Sequence, residues 1–128
     1  MVIMAFTTMV KAQITINFCA YVIQQNRECV FDNTKFVAAK DSPTARIFIM
    51  ANSKDAFGSD VLVYKIYSLD DKGKETFVKA IPQSVQTDWQ SAWQPATLKS
   101  PAKYIVKVYK DLAAETLVTS KSFEFVAY

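Results

Sequence analysis

The sequence predicts an all-β domain, an antiparallel β-sandwich of about eight strands. Three observations carry that expectation. Between Lys103 and Val126 two runs alternate apolar and polar residues around a polar turn, the period of a half-buried hairpin. Nine Phe and six Tyr, with Val, Ile and Thr, give the chain a strand-favouring composition. Clusters of Asn, Asp, Ser and Lys recur between the apolar runs, and no stretch repeats with a helical period. At 128 residues, 51% of them hydrophobic, the chain is long enough for one core without a metal.

Met1 to Val10 is apolar and uncharged, and Lys11-Ala12-Gln13 follows. Two readings are open. Val10 and Ala12 stand where small residues precede a signal-peptidase site, so residues 1–12 read as a signal-peptide remnant; otherwise they are an extra N-terminal strand ahead of a sandwich over residues 13–128. Ten apolar residues are too few to span a bilayer as a helix. As a retained strand, the segment needs cover on both faces, which makes strand-mediated self-association an expected partner interaction.

From Gln13 to Ile23 the alternation predicts one strand, with Ile14, Ile16, Phe18, Ala20 and Val22 on one side. Gln24 to Glu28 is a polar turn and Cys29-Val30-Phe31 begins the return. Cys19 and Cys29 therefore bracket a turn, and they are either a cross-strand disulfide or two buried thiols. Lys35 to Ala39 is a short strand. Ala45 to Asn52, apolar on both sides, predicts a central strand covered on both faces. Val61 to Tyr67 and Glu75 to Ile81 form a second hairpin about Asp70-Asp71-Lys72-Gly73. Pro82 is expected to end that strand, Gln83 to Gln94 is the least regular stretch, and Ser100-Pro101-Ala102 makes a corner before the last hairpin. Tyr104, Val106 and Val108, with Phe123 or Leu117, Phe48 or Ile49 and one tryptophan, are the expected core.

The corner and strand SPAKYIVKVY, followed by a polar turn and KSFEFV, resemble the last two strands of immunoglobulin-like and fibronectin-type-III-like sandwiches of secreted bacterial proteins. That resemblance implies that Tyr104 is the corner tyrosine, its ring buried and its hydroxyl bonded to nearby backbone. The chain departs from the pattern at Ala102, where glycine is common, and its cysteines lack the inter-sheet spacing of antibody domains.

The chain contains no histidine, which removes the usual general base and the usual zinc ligand. Its carboxylates cluster in turns, as at Asp70-Asp71 and from Asp55 to Asp60, without EF-hand spacing. Gly58 and Gly73 are too far apart for a phosphate loop. A net charge of +3 with only Arg27 and Arg46 as arginines does not suit nucleic-acid recognition. No catalytic, cofactor-binding or metal-binding residue is expected. Trp89 and Trp93, four positions apart, are the candidate binding surface: one is expected to fill the core and the other to face solvent. The expected function is a non-catalytic binding or assembly module of a secreted or cell-envelope protein, acting through protein contacts. The alternatives are a carbohydrate-binding module using the two tryptophans and a small β-barrel carrying an apolar ligand.

Overall fold

A computed structural model describes residues 14–128, so residues 1–13, and with them both readings of the N-terminal segment and its self-association, lie outside the described residues. The described chain forms ten strands and no helix. In order they are β1 (Ile14–Cys19), β2 (Tyr21–Ile23), β3 (Glu28–Val30), β4 (Lys35–Val37) and β5 (Thr44–Ser53). Then follow β6 (Val61–Leu69), β7 (Glu75–Ser84), β8 (Ser91–Lys99), β9 (Ala102–Tyr109) and β10 (Leu117–Val126). β1, β5 and β8 make a small sheet, β4, β10, β9, β6 and β7 a large one, and β2 pairs only with β3. The first segment is shared between the sheets: β1 runs antiparallel to β5, whereas β4 runs parallel to β10.

Alternation puts one side of every long strand between the sheets. The small sheet supplies Ile14, Ile16, Phe18, Ile47, Ile49, Ala51, Ala92, Ala96 and Leu98 to the core. The large one supplies Leu62, Tyr64, Ile66, Tyr104, Val106, Val108, Phe123 and Phe125. Phe18 closes the gap, its ring centroid 4.5 Å from that of Phe123. Tyr104 donates its hydroxyl to the Lys99 carbonyl at 2.7 Å, tying β9 to the chain just before the corner. Leu117 does not join: it is 52% exposed, because β10 changes register between Leu117 and Thr119 and the alternation restarts there.

Ten strands replace the expected eight because the run from Gln13 to Ile23 breaks at Ala20. β1 stays in the small sheet while β2 turns away to pair with β3. Cys19 and Cys29 are disulfide-bonded, with Cα atoms 5.4 Å apart. Pro82 does not end β7. It pairs with Val63 inside an edge strand, where its missing N–H falls on the free side of the ladder. Pro95 sits in the same way in β8, the edge of the small sheet, so part of the stretch read as irregular is a regular strand. Among the described residues no closed barrel forms: β7 and β8 edge different sheets, with a trench of about 430 Å³ between them lined by Phe77, Val78, Leu98 and Tyr104.

Candidate functional site

The outer face of the small sheet is covered rather than open. Cys19 and Met50 point away from the sandwich interior, since their neighbours Phe18, Ile49 and Ala51 fill it, yet they are 0% and 2% exposed. The β2–β3 hairpin covers them, lying against β1 and β5. The Ala20 N–H donates to the Val30 carbonyl at 2.8 Å and the Asn33 N–H to the Phe18 carbonyl at 3.1 Å. Asn52 donates to Asn17, and Asn17 donates to Asp32, so a side-chain relay fastens the return limb to the sheet. At the tip, the Asn26 carboxamide accepts from the Glu28 N–H while donating to the Glu28 carboxylate, and Arg27 takes a φ of +58°.

That tip stops short of β8 and leaves a cleft. Its volume is about 320 Å³, and Gln24 and Arg27 form one side, Trp89, Ser91, Ala92 and Trp93 the other, with Gln83 of β7 at the end. Both tryptophans line it. Trp93 lies on the outer side of β8 opposite Met50, while Trp89, in the β7–β8 connection, packs partly against the core. Each is half-buried: Trp89 packs against the core without filling it, and Trp93 faces outward into the cleft. The backbone holds Trp89 twice: its N–H donates to the Gln86 carbonyl and its own carbonyl accepts from Phe57.

Gln83 sets the end of the cleft. Its amide accepts from the Tyr64 hydroxyl at 2.8 Å and donates to the Trp93 carbonyl at 3.1 Å, which links the two sheet edges through a side chain. Burial pushes the Tyr64 hydroxyl far above its ordinary pKa, so it stays a neutral donor. The Ser91 hydroxyl oxygen is buried with no hydrogen-bond partner among the described residues. Arg27 makes no ion pair among the described residues, and no carboxylate lines the cleft.

The large sheet presents a different outer face. Tyr67 and Phe77 pack edge to face, with centroids 5.7 Å apart. Lys65 and Lys107 stand directly opposite each other on β6 and β9, an arrangement of like charges that costs stability unless each finds a partner. Both do. The Lys107 ammonium lies 4.8 Å from the Tyr67 ring centroid and 2.8 Å from the Glu75 carboxylate, and the Lys65 ammonium lies 5.6 Å from the Tyr109 ring centroid. The hydrogen bond that its ammonium donates to the Glu75 carboxylate raises the Lys107 pKa, so the cation persists. Phe77 remains 55% exposed at the free edge.

Among the described residues, no group of three or more cysteine and carboxylate side chains converges where a metal could bind. The sequence pointed to the two tryptophans but not to Gln24 and Arg27, which read there only as a turn. The cysteines bracketing that turn were the available signal, since a tethered hairpin must lie on something. Nor did alternation single out Tyr67, Phe77 and Tyr109, because an outer aromatic and an inner one share the same period.

No protein-family model matches the sequence, and no curated protein sequence matches it. Among solved structures the chain is similar to an immunoglobulin-like protein from Pseudomonas aeruginosa, with a TM-score of 0.53 and 10% identity over 87% of this chain and 91% of that one. At that identity the likeness speaks for architecture alone, and the chain folds as an immunoglobulin-like β-sandwich.

Proposed function

We propose that this domain is a non-catalytic binding module that works outside the cytoplasm, and that it holds a protein partner against the outer face of its large sheet. The observation that carries this reading is the row of Tyr67, Phe77 and Tyr109 interleaved with Lys65 and Lys107. Tyrosine and phenylalanine present large, stiff contact area at small entropic cost, and they are enriched in the centres of protein interfaces. Lysines held over rings are already ordered, so they add charge without a further ordering penalty, and they suit a partner with an acidic rim. The disulfide supports an oxidising compartment. Either a second copy of the chain or another protein satisfies this reading.

Site-specific photo-crosslinking tests it. A photoreactive residue at Phe77, in cells exporting the domain, should give a discrete conjugate that Lys107→Glu abolishes, while the same residue at exposed Asp55 gives none. The same products from both positions, or a conjugate indifferent to Lys107→Glu, would overturn the sheet-face reading.

A further inference from the structure

We infer that the cleft between the disulfide-tethered hairpin and β8 is a binding site for an acidic sugar, a pyranose ring bearing a carboxylate. The cleft shares no residue with the outer face of the large sheet.

The shape comes first. At about 320 Å³ the cleft lies at the small end of ligand pockets, room for a single ring rather than an extended peptide. Trp89 and Trp93 offer half-buried indole surface, and the C–H face of a pyranose packs on such a surface while its rim of hydroxyls stays free for hydrogen bonds. A flexible aliphatic ligand would find too many polar groups here. Gln24 makes no side-chain hydrogen bond among the described residues, and the buried Ser91 hydroxyl has no partner either. The Gln24 amide, exposed on the wall of the cleft, is therefore available to a ring hydroxyl.

Charge then selects among sugars. Among the described residues, Arg27 is the one charged residue of the lining. The carboxylate next to it in sequence is taken, since Glu28 accepts from Asn26 and is outside the lining. A guanidinium with no competing anion favours a carboxylate, which it can grip through two parallel hydrogen bonds. A neutral sugar would leave that cation unused. Position matters as well: Arg27 and Gln24 lie inside the loop closed by Cys19 and Cys29, so this wall of the site is anchored covalently before any ligand arrives.

Calorimetric titration of the oxidised protein with glucuronate, tetragalacturonate and glucose tests the inference. Saturable binding of the uronates is expected, at least about tenfold tighter than glucose, because a charge-assisted pair to Arg27 is lost with the neutral sugar. The tetramer binding more tightly than the monomer assigns the site to a polysaccharide; equal affinity assigns it to a free sugar acid. Arg27→Gln should erase the preference for the acid while leaving the weak glucose affinity unchanged. Trp93→Ala should abolish binding of all three, with Trp93→Phe, which keeps an aromatic wall, retaining part of it if the fold is intact by circular dichroism. No saturable heat with either uronate, or uronate binding by Arg27→Gln equal to that of the unsubstituted protein, overturns the assignment.

Discussion

The two outer faces of this sandwich are built from strands of the same type, yet one is flat and the other concave. On the large sheet, alternation generates most of the surface: every second residue of β6 and β9 points outward, a register shift in the β6–β7 ladder brings Phe77 opposite Tyr67, and Tyr67, Phe77 and Tyr109 are held by their cross-strand neighbours. The small sheet would be just as flat. What changes it is the interruption of the first segment between β1 and β4, where the chain leaves the ladder and lays a short hairpin over β5. Concavity here is an effect of insertion and not of sheet curvature. A sandwich can therefore acquire a pocket without disturbing its core, provided the inserted piece is held down, and three-residue strands such as β2 and β3 cannot hold themselves.

Four substitutions or conditions bear on that contrast. The largest effect is expected where the faces share support. Phe18, fully buried in β1 with its ring against Phe123 of the opposite sheet, should cost about 3–5 kcal/mol when changed to Ala. Urea denaturation measures it, and the partner contact of the large sheet and ligand binding in the cleft should weaken together. Next is the tether. Replacing Cys19 and Cys29 by Ala should cost about 2–3 kcal/mol, the loop-closure value for a ten-residue separation. Hydrogen exchange should quicken at residues 20–30 and stay unchanged in β6 and β9; equal loosening of both would mean that the faces are not independent.

Smaller still is Tyr104→Phe, which removes the donor to Lys99 at the corner of the large sheet and should cost about 1 kcal/mol in the same denaturation experiment. Cleft binding should not change. The finest effect concerns the β9–β10 turn, the uncovered counterpart of the tethered hairpin. There the Asp111 carboxylate accepts from the backbone N–H groups of Glu115 and Thr116, and those bonds lower its pKa below the ordinary 3.8. A lowered pKa means that the bonds contribute fully above the ordinary aspartate range and are lost as the pH falls through the folded value. Protection of the Glu115 and Thr116 amides should therefore fade at pH values below 3.8, while the disulfide that closes the β2–β3 loop does not titrate and keeps that loop closed.

The core was legible because burial writes a period into the sequence. Tyr104, Val106, Val108, Phe123 and the corner hydroxyl of Tyr104 all followed from alternation or from one local resemblance, whereas in β5, apolar on both sides, the choice between Phe48 and Ile49 stayed open and the fold buries Ile49. Strand ends were not legible where an edge excuses a rule. Pro82 and Pro95 sit inside strands because one side of each has no neighbour, and sequence alone does not say which strands are edges. Leu117 fell out of the core through a register change that its apolar side chain does not announce. The cleft was half legible. Its tryptophans stood out by type, whereas Arg27 and Gln24 reach it only through a fold-back that depends on a pairing sixty residues away from Trp89.

The division of the first segment between both sheets has a mechanical consequence. β4 and β10 run parallel, so tension applied along the chain from the N-terminal side of β4 to the C-terminal side of β10 slides the two strands past each other and loads their ladder bonds together instead of peeling them singly. The clamp is short, three residue pairs with flanking bonds at Thr34 and Ala38, but it gates access of the pull to everything between. Upstream, the covalent loop sequesters contour length. With its anchors ten positions apart in sequence and their Cα atoms 5.4 Å apart, it withholds roughly 30 Å of extension at about 3.5 Å per residue. A stretched domain would thus lengthen less when oxidised, and the hairpin wall, lying inside the withheld length, would carry no load at all.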